Sequence, residues 1–204
     1  MKFKVISLFT FFLLGSSISS AMSLADYIAE TNPEESEYIS NLLVKNGEKY
    51  NISPLFLAAV FRNESGFHNG AISSAGAIGV SQLMPDTAAE LGVNPYSLEE
   101  NIEGGARYFR QMLDLHANKG EQQYNFALAS YNAGYGNATH SIPSYTYDYI
   151  NSIQSDYYTI KRSITGMYSK SPTVDSTYTK KTKLLNLYKL KSIKQQYQAR
   201  KKGY

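Results

Sequence analysis

Glu64 is the residue whose type and position point most directly to chemistry. It follows Leu57 and Val60 at helical spacing, so its carboxyl lies on an apolar helix face, and Gly66 ends the helix just after it. Burial and the negative end of the helix dipole both favour a protonated carboxyl. Such a group is suited to general acid catalysis. The alternative is an ion pair with one of three arginines: Arg62, Arg107 or Arg110.

Four helices are predicted to position this carboxyl, each with apolar residues at helical spacing. They are expected over about 33–50, with Asn32 as N-cap, then 54–64, 98–116 and 124–134. Between the second and third helices, residues 66–85 are rich in Gly, Ala and Ser and too irregular to be helical throughout, and the glycines favour a close backbone approach. Long alternating apolar and polar runs are absent from this region. The sequence therefore predicts a mainly α fold.

Composition narrows the chemistry further. The 204 residues contain no cysteine and three histidines. The lack of cysteine excludes disulfide scaffolds, thiolate metal sites and cysteine nucleophiles, and so few histidines argue against a histidine-rich metal site. We expect no metal and no cofactor. Residues 1–155 carry 8 basic and 15 acidic side chains, whereas residues 156–204 carry 12 basic and 2 acidic ones, so the net charge of +3 describes neither part.

The first 21 residues have the pattern of a secretory signal peptide. A short basic start at Met1–Lys4 is followed by an apolar run over 5–15, and Ser19 and Ala21 fit a small-x-small cleavage site. The alternative is a membrane anchor, but the run is shorter than the roughly 20 residues needed to cross a bilayer. We expect an exported chain that begins at Met22 and is periplasmic or associated with the cell envelope.

Four ordered motifs carry a family resemblance. They are Glu64-Ser65, the loop sequence over 71–85, the Asn-Ile-x-x-Gly pattern that opens at Asn101, and Ala-Leu-Ala-Ser-Tyr-Asn-Ala-Gly-Tyr-Gly over 127–136. Together they resemble the lytic transglycosylases of the SLT family, over about 35–153. The resemblance implies a lysozyme-like domain, placed over 22–155. It also implies cleavage of the β-1,4 bond between N-acetylmuramic acid and N-acetylglucosamine in peptidoglycan, with 1,6-anhydromuramoyl ends as products.

In this family one carboxyl acts as both acid and base, which implies that Glu64 works alone. A lysozyme-type hydrolase would instead need a second carboxylate within about 5–9.5 Å. The candidates for it are Asp86, Glu90, Glu99, Glu100 and Glu103. Asp86 is interpreted as a helix-start acid and the others as solvated or capping residues, so the hydrolase stands only if one of them faces Glu64. A non-catalytic peptidoglycan-binding protein is a further alternative, against which the presence of Glu64 argues.

The resemblance also suggests substrate-binding positions. These are Ser73, Gln82, Met84, Tyr131, Asn132 and Tyr149. Four of them also have a structural interpretation: Ser73 and Gln82 as braces of the loop, Met84 and Tyr131 as core residues. Thr146 lies three positions before Tyr149. The family usually has a glutamate directly before this threonine, whereas this chain has Tyr145. That difference bears on the orientation of Tyr149.

The resemblance ends near Ile153. Residues 156–175 are predicted to be an irregular connection, and residues 182–202 a basic amphipathic helix within the C-terminal extension 156–204. Such a helix suits an anionic membrane or wall surface, or packs on the domain. Nucleic acid is not expected as a partner. By analogy with specialised wall-remodelling enzymes, service to an envelope-spanning secretion, conjugation or pilus assembly is a further expectation.

Overall fold

The computed structural model describes residues 22–165. The signal peptide over 1–21 and the amphipathic helix over 182–202 lie outside these residues and stay predictions. The α-helices are α1 (Leu24–Ala29), α2 (Ser36–Tyr50), α3 (Pro54–Ser65), α4 (Pro85–Leu91), α5 (Leu98–Leu115), α6 (Gln123–Ala133) and α7 (Tyr147–Thr165). Short 3-10 helices are η1 (Ala117–Gln122), η2 (Tyr135–Asn137) and η3 (Ser144–Thr146). Within 22–165 there is no strand, so the prediction of a mainly α fold is confirmed.

Local sequence explains where the central helices begin and end. Pro54 occupies the first turn of α3, where its missing N–H costs nothing, and Gly66 ends the helix in the left-handed conformation at φ +62°. The Ser97 side chain accepts a hydrogen bond from the Glu100 N–H and so caps α5. The predicted bounds of α3, α5 and α6 are confirmed to within a residue or so.

The start of α2 differs from its prediction. Residues 33–35 form a turn, and the helix begins at Ser36. Asn32 is nevertheless a local anchor, because its side-chain oxygen accepts from the Glu35 N–H at 3.1 Å. Its amide group donates to the Phe67 carbonyl at 2.9 Å. Asn32 thus holds a turn and joins it to the segment after α3, instead of capping the helix.

The core surrounds α3. The stretch from Leu57 to Phe61 is fully buried, and α3 packs against α2 and α7. On the other side of the core, α5 packs against α2 and α6, with Phe109 stacked on Phe56 at a ring distance of 5.4 Å. Because α3 is enclosed along most of its length, the position of its last turn is set by the packing of the whole core.

Residues 66–84 form the irregular loop that was expected, held by two isolated β-bridges at Ile78. Asn101 on α5 holds this loop through hydrogen bonds to its backbone. Its side-chain oxygen accepts from the Ser81 N–H at 2.8 Å, and its amide donates to the carbonyls of Ile78 and Pro95 at 2.8 and 2.9 Å. The Asn101 side chain is fully buried. These directional bonds hold the loop against the helix.

Two glycines allow this close approach. A Cβ atom on Gly79, which has φ +77°, would lie 2.4 Å from the Asn101 amide nitrogen. A Cβ atom on Gly105 would lie 2.3 Å from the Cβ atom of Ser81. Both distances are far shorter than a van der Waals contact, which gives a physical reason for glycine at both positions.

The expected irregular connection after residue 155 is wrong for residues 156–165. They continue α7, whose Ile153 and Ile160 are fully buried seven positions apart. Burial of this apolar stripe against α3 stabilises the helix where the Ser, Thr and Tyr content alone favoured a loop. Within 22–165, every helix is too short or too polar to span a bilayer.

Candidate active site

Glu64 lies in the last turn of α3, where its partly exposed side chain reaches the surface of the core. The Tyr149 hydroxyl, from the first turn of α7, donates a hydrogen bond to the Glu64 Oε1 atom. Burial raises the pKa of Glu64 to about 7, and the hydrogen bond from Tyr149 acts in the opposite direction. The carboxyl is therefore divided between its acid and base forms near neutral pH.

The ion-pair alternative for Glu64 is wrong. Arg62 binds Glu30 at 2.7 Å, although it is only two positions away from Glu64. Arg107 binds Glu103 at 3.3 Å, and Arg110 binds Asp114 at 2.8 Å. Among the described residues no cation pairs with Glu64, and this leaves its pKa under the control of burial.

The candidate second carboxylates are engaged elsewhere or exposed. Glu99 accepts from the Tyr38 hydroxyl, and Glu100 accepts from the Asn94 N–H. Glu103 binds Lys49 at 3.1 Å. Asp86 and Glu90 are exposed on α4. Within 22–165, burial and the Tyr149 hydrogen bond are the causes of the pKa shift of Glu64, and no second carboxyl is among them.

Tyr131 is near enough to Glu64 for the Glu64 charge to affect its pKa, but its hydroxyl hydrogen-bonds to the loop. Its hydroxyl donates to the Ser81 carbonyl at 2.8 Å, and its ring packs on Tyr108 at a centroid distance of 5.3 Å. Burial raises the pKa of Tyr131 well above its usual value, and the Glu64 charge adds to that effect. The same two causes act on the pKa of Tyr149. Glu64, Tyr131 and Tyr149 therefore form one cluster.

The loop residues Ser73 and Gln82 act as braces in this structure. The Ser73 hydroxyl accepts from the Ala77 N–H at 3.0 Å. The Gln82 amide donates to the Gly79 carbonyl at 2.9 Å, and Gln82 itself has φ +49°. Ser65 also supports the loop, because its hydroxyl donates to the Val80 carbonyl at 2.8 Å. The interpretation of Ser73 and Gln82 as braces of the loop thus describes their contacts in the absence of a ligand.

The remaining predicted positions face solvent. Met84 is 43% exposed at the start of α4, and Asn132 is exposed in the last turn of α6. Tyr145 is 68% exposed on η3, four positions before Tyr149. Met84 is thus not a core residue.

Among the described residues, no group of three or more His, Cys, Asp or Glu side chains is arranged to hold a metal ion.

Sequence reasoning missed the residues that support the cluster. Asn101 was recognised as part of a motif but given no role, although a buried polar residue inside an apolar helix face was a readable signal. Asn63 was also missed. Its side chain contacts α7, and that contact depends on how α7 packs, which no local pattern reveals.

The family model described as the transglycosylase SLT domain matches residues 41–151. A transglycosylase of Enterobacteria phage PRD1 is 38% identical over 109 residues, which are 50% of this chain and 39% of the relative. Membrane-bound lytic murein transglycosylase F 1 of Alkalilimnicola ehrlichii is 39% identical over 92 residues, 44% of this chain and 19% of the relative.

Among solved structures, an inactive mutant of lytic transglycosylase Slt from Pseudomonas aeruginosa aligns with a TM-score of 0.52. It is 24% identical in sequence, and the alignment covers 67% of this chain and 25% of that one. This match shows likeness of fold. The chain spans well under half the length of these relatives.

Proposed function

The chain belongs to the transglycosylase SLT domain family, and on that premise we propose that it is a peptidoglycan lytic transglycosylase with Glu64 as its single general acid and base. The observation that carries the proposal is the partly buried Glu64 carboxyl, with a pKa of about 7 and no charged partner among the described residues. Such a group can both donate and accept a proton near neutral pH. The relatives named as transglycosylases, one of them acting on murein, support the same substrate.

The reaction needs one proton to leave Glu64 and one to return. The Glu64 carboxyl donates its proton to the glycosidic oxygen, and the bond between that oxygen and C1 of the muramic acid breaks. The carbonyl of the substrate's own acetamido group stabilises the cationic sugar. The Glu64 carboxylate then takes the proton of the 6-hydroxyl as O6 bonds to C1, which gives the 1,6-anhydro end. No water is consumed, so a second carboxylate to activate water is unnecessary.

The proposed substrate contacts surround this acid. Tyr131 and Tyr149 lie beside Glu64 and would bound the sugar cleft. Met84 and Asn132 are exposed and available for contact with a glycan. Ser73 and Gln82 each commit part of their side chain to the loop. Their remaining groups, the Ser73 hydroxyl proton and the Gln82 side-chain oxygen, would then bind hydroxyl or acetamido groups.

The proposed setting is the cell envelope, where peptidoglycan lies. The relative from Alkalilimnicola ehrlichii is named as a membrane-bound lytic murein transglycosylase, which supports this setting. Export by the N-terminal segment is part of the proposal, and so is the binding of the basic residues 156–204 to an anionic membrane or wall surface. Service to a secretion or pilus assembly extends the proposal to a partner.

The test is a Glu64→Gln substitution, which keeps the size of the side chain and removes the exchangeable proton. We expect release of soluble fragments from purified sacculi to fall by roughly 100- to 10,000-fold. The matched control is Glu48→Gln, on the exposed face of α2, with release equal to that of the wild type. Retained release in Glu64→Gln would contradict the proposed role of this carboxyl.

A further inference from the structure

The contact between Glu64 and Tyr149 joins two helices that are far apart in sequence. Glu64 ends α3, and Tyr149 is the third residue of α7. A hydrogen bond between side chains on separate helices forms only when the helices keep one relative position along and around their axes. Other contacts near Glu64 and Tyr149 must therefore hold α7 in this position on α3.

The apolar packing between the two helices does not by itself fix that position. Ile150, Ile153 and Ile160 of α7 are buried in the core, and Phe56 on α3 meets Tyr157 at a ring distance of 5.5 Å. Such contacts contribute most of the stabilisation, but apolar burial is non-directional and does not on its own select one alignment of hydrogen-bonding groups. Directional hydrogen bonds discriminate between nearby positions far more sharply.

Asn63, the residue directly before Glu64, makes those directional bonds. Its amide nitrogen donates to the Ala59 carbonyl at 2.8 Å and to the Asp156 Oδ2 atom at 2.8 Å. Its side-chain oxygen accepts from the Ser152 hydroxyl at 2.6 Å. The Ala59 carbonyl can only accept, which fixes the orientation of the amide and makes Ser152 the donor.

The partners of Asn63 share a face of α7 with Tyr149. Ser152 follows Tyr149 by three positions and Asp156 by seven, which is the spacing of one helical stripe. One stripe of α7 thus contacts two consecutive residues of α3. Movement of α7 by about 1.5 Å along its axis, the rise of one residue, would lengthen or break both Asn63 contacts and displace the Tyr149 hydroxyl.

We propose that Asn63 is a positioning residue that holds α7 on α3 so that the Tyr149 hydroxyl is fixed against the Glu64 carboxyl. The inference rests on the proposed function of Glu64. Asn63 acts through Tyr149 and needs no contact with the glycan. Its loss misplaces one partner of the acid, and displacements of about 1 Å at a catalytic group cost up to roughly 100-fold in rate.

The first test measures kcat and KM on soluble, uncrosslinked glycan strands. Asn63→Ala and Asp156→Ala should each lower kcat by roughly 10- to 100-fold, with KM within about twofold of the wild type, because only the orientation of the acid changes. Asp156→Asn keeps an acceptor oxygen for the Asn63 amide and should retain wild-type kcat. Equal impairment of Asp156→Asn and Asp156→Ala would overturn the inference, as would an unchanged kcat in Asn63→Ala.

The second test is a double-mutant cycle with Tyr149→Phe. If Asn63 acts through the Tyr149 hydroxyl, Asn63→Ala should lower kcat no further once that hydroxyl is gone. A loss that multiplies with that of Tyr149→Phe would show a purely structural role and overturn the inference. The thermal unfolding of each variant is measured as a check of folding. If Asn63→Ala does not fold, the comparison of Asp156→Ala with Asp156→Asn decides the outcome. Failure of the wild-type protein to produce anhydro ends would instead overturn the proposed function.

Discussion

The acid strength of Glu64 is set by its surroundings. A position at the end of an apolar helix face suggested both burial and the helix dipole as causes of a raised pKa. In the structure burial is the dominant cause, and the Tyr149 hydrogen bond partly offsets it. A single carboxyl with a pKa of about 7 can then serve both as acid and as base near neutral pH.

This pKa has a consequence for stability. The usual pKa of 4.5 rises to about 7 in the folded chain, so the folded state binds the Glu64 proton more tightly than the unfolded state does. The contribution of Glu64 to stability therefore falls as the pH rises from about 4.5 to 7. Glu64→Gln removes this penalty, and its melting temperature should exceed that of the wild type near pH 8 and match it near pH 4. An equal difference at both pH values would contradict the burial of this carboxyl.

The hydrogen bond from Tyr149 predicts a shift in the pH profile. It lowers the pKa of Glu64, so Tyr149→Phe should raise that pKa. The first step needs protonated Glu64, and the loss of kcat/KM at alkaline pH should therefore begin at a higher pH in the variant. The measurement is kcat/KM against pH for both proteins. A shift to lower pH would show that the Tyr149 hydroxyl does not stabilise the carboxylate.

At single residues, sequence alone placed the Glu64 carboxyl at the end of its helix but did not reveal its contacts. The spacing of Leu57, Val60 and Glu64 placed the carboxyl at the end of a buried helix. The Tyr131 hydroxyl could be assigned to the acid or to the sugar by type, yet it binds the Ser81 carbonyl. The position of a loop carbonyl depends on tertiary folding, which periodicity does not encode.

Among the structural elements, the loop of residues 66–84 depends on α5. The Asn101 side chain makes two bonds to the loop backbone, with the Ser81 N–H and the Ile78 carbonyl, and a third bond to the Pro95 carbonyl outside the loop. If the Asn101 side chain were removed, the buried Ser81 N–H would have no partner, and the Ile78 carbonyl would keep only the bond from the Leu83 N–H. The loop and the helix should therefore lose stability together.

Asn101→Ala should lower the free energy of unfolding by about 2–5 kcal/mol, because the unsatisfied Ser81 N–H costs about 1–3 kcal/mol and two further hydrogen bonds to carbonyls are lost. Chemical denaturation monitored by circular dichroism gives this value. Asn41→Ala, on the exposed face of α2, serves as the control and should stay within about 0.5 kcal/mol of the wild type. A loss no larger than that of the control would show that the Asn101 bonds do not hold the loop.

Helix prediction succeeded where local signals mark the ends. Pro54 and Gly66 delimit α3, and Ser97 caps α5. It failed for residues 156–165, because their Ser, Thr and Tyr content favoured a loop. The isoleucines of α7 favour a helix there only because they are buried against α3. The short α1 was not predicted either, although Ser23 and Asp26 form a capping box at its start.

At the scale of the whole molecule, the two parts of the chain carry net charges of opposite sign. The part up to residue 155 is acidic, whereas residues 156–204 carry 12 basic and 2 acidic side chains. An acidic domain gains little general attraction to a wall rich in carboxylates, so its binding depends on specific sugar contacts. We expect the basic segment to supply any salt-sensitive attraction to the envelope.

Neutralising Lys189, Lys191 and Lys194 together to Gln should weaken sedimentation with anionic vesicles or sacculi at low salt. The difference from the wild type should disappear at high salt, and kcat on soluble glycan strands should not change. Equal sedimentation of both proteins at low salt would exclude a role for these lysines in surface binding.

The central claim is that one carboxyl cleaves the glycan without consuming water. It is tested most directly by digesting purified sacculi in ¹⁸O-labelled water and analysing the new ends by mass spectrometry. Intramolecular attack by O6 predicts 1,6-anhydromuramoyl ends that contain no solvent oxygen and are lighter than reducing ends by one water. Reducing ends that carry ¹⁸O would show hydrolysis and contradict the claim.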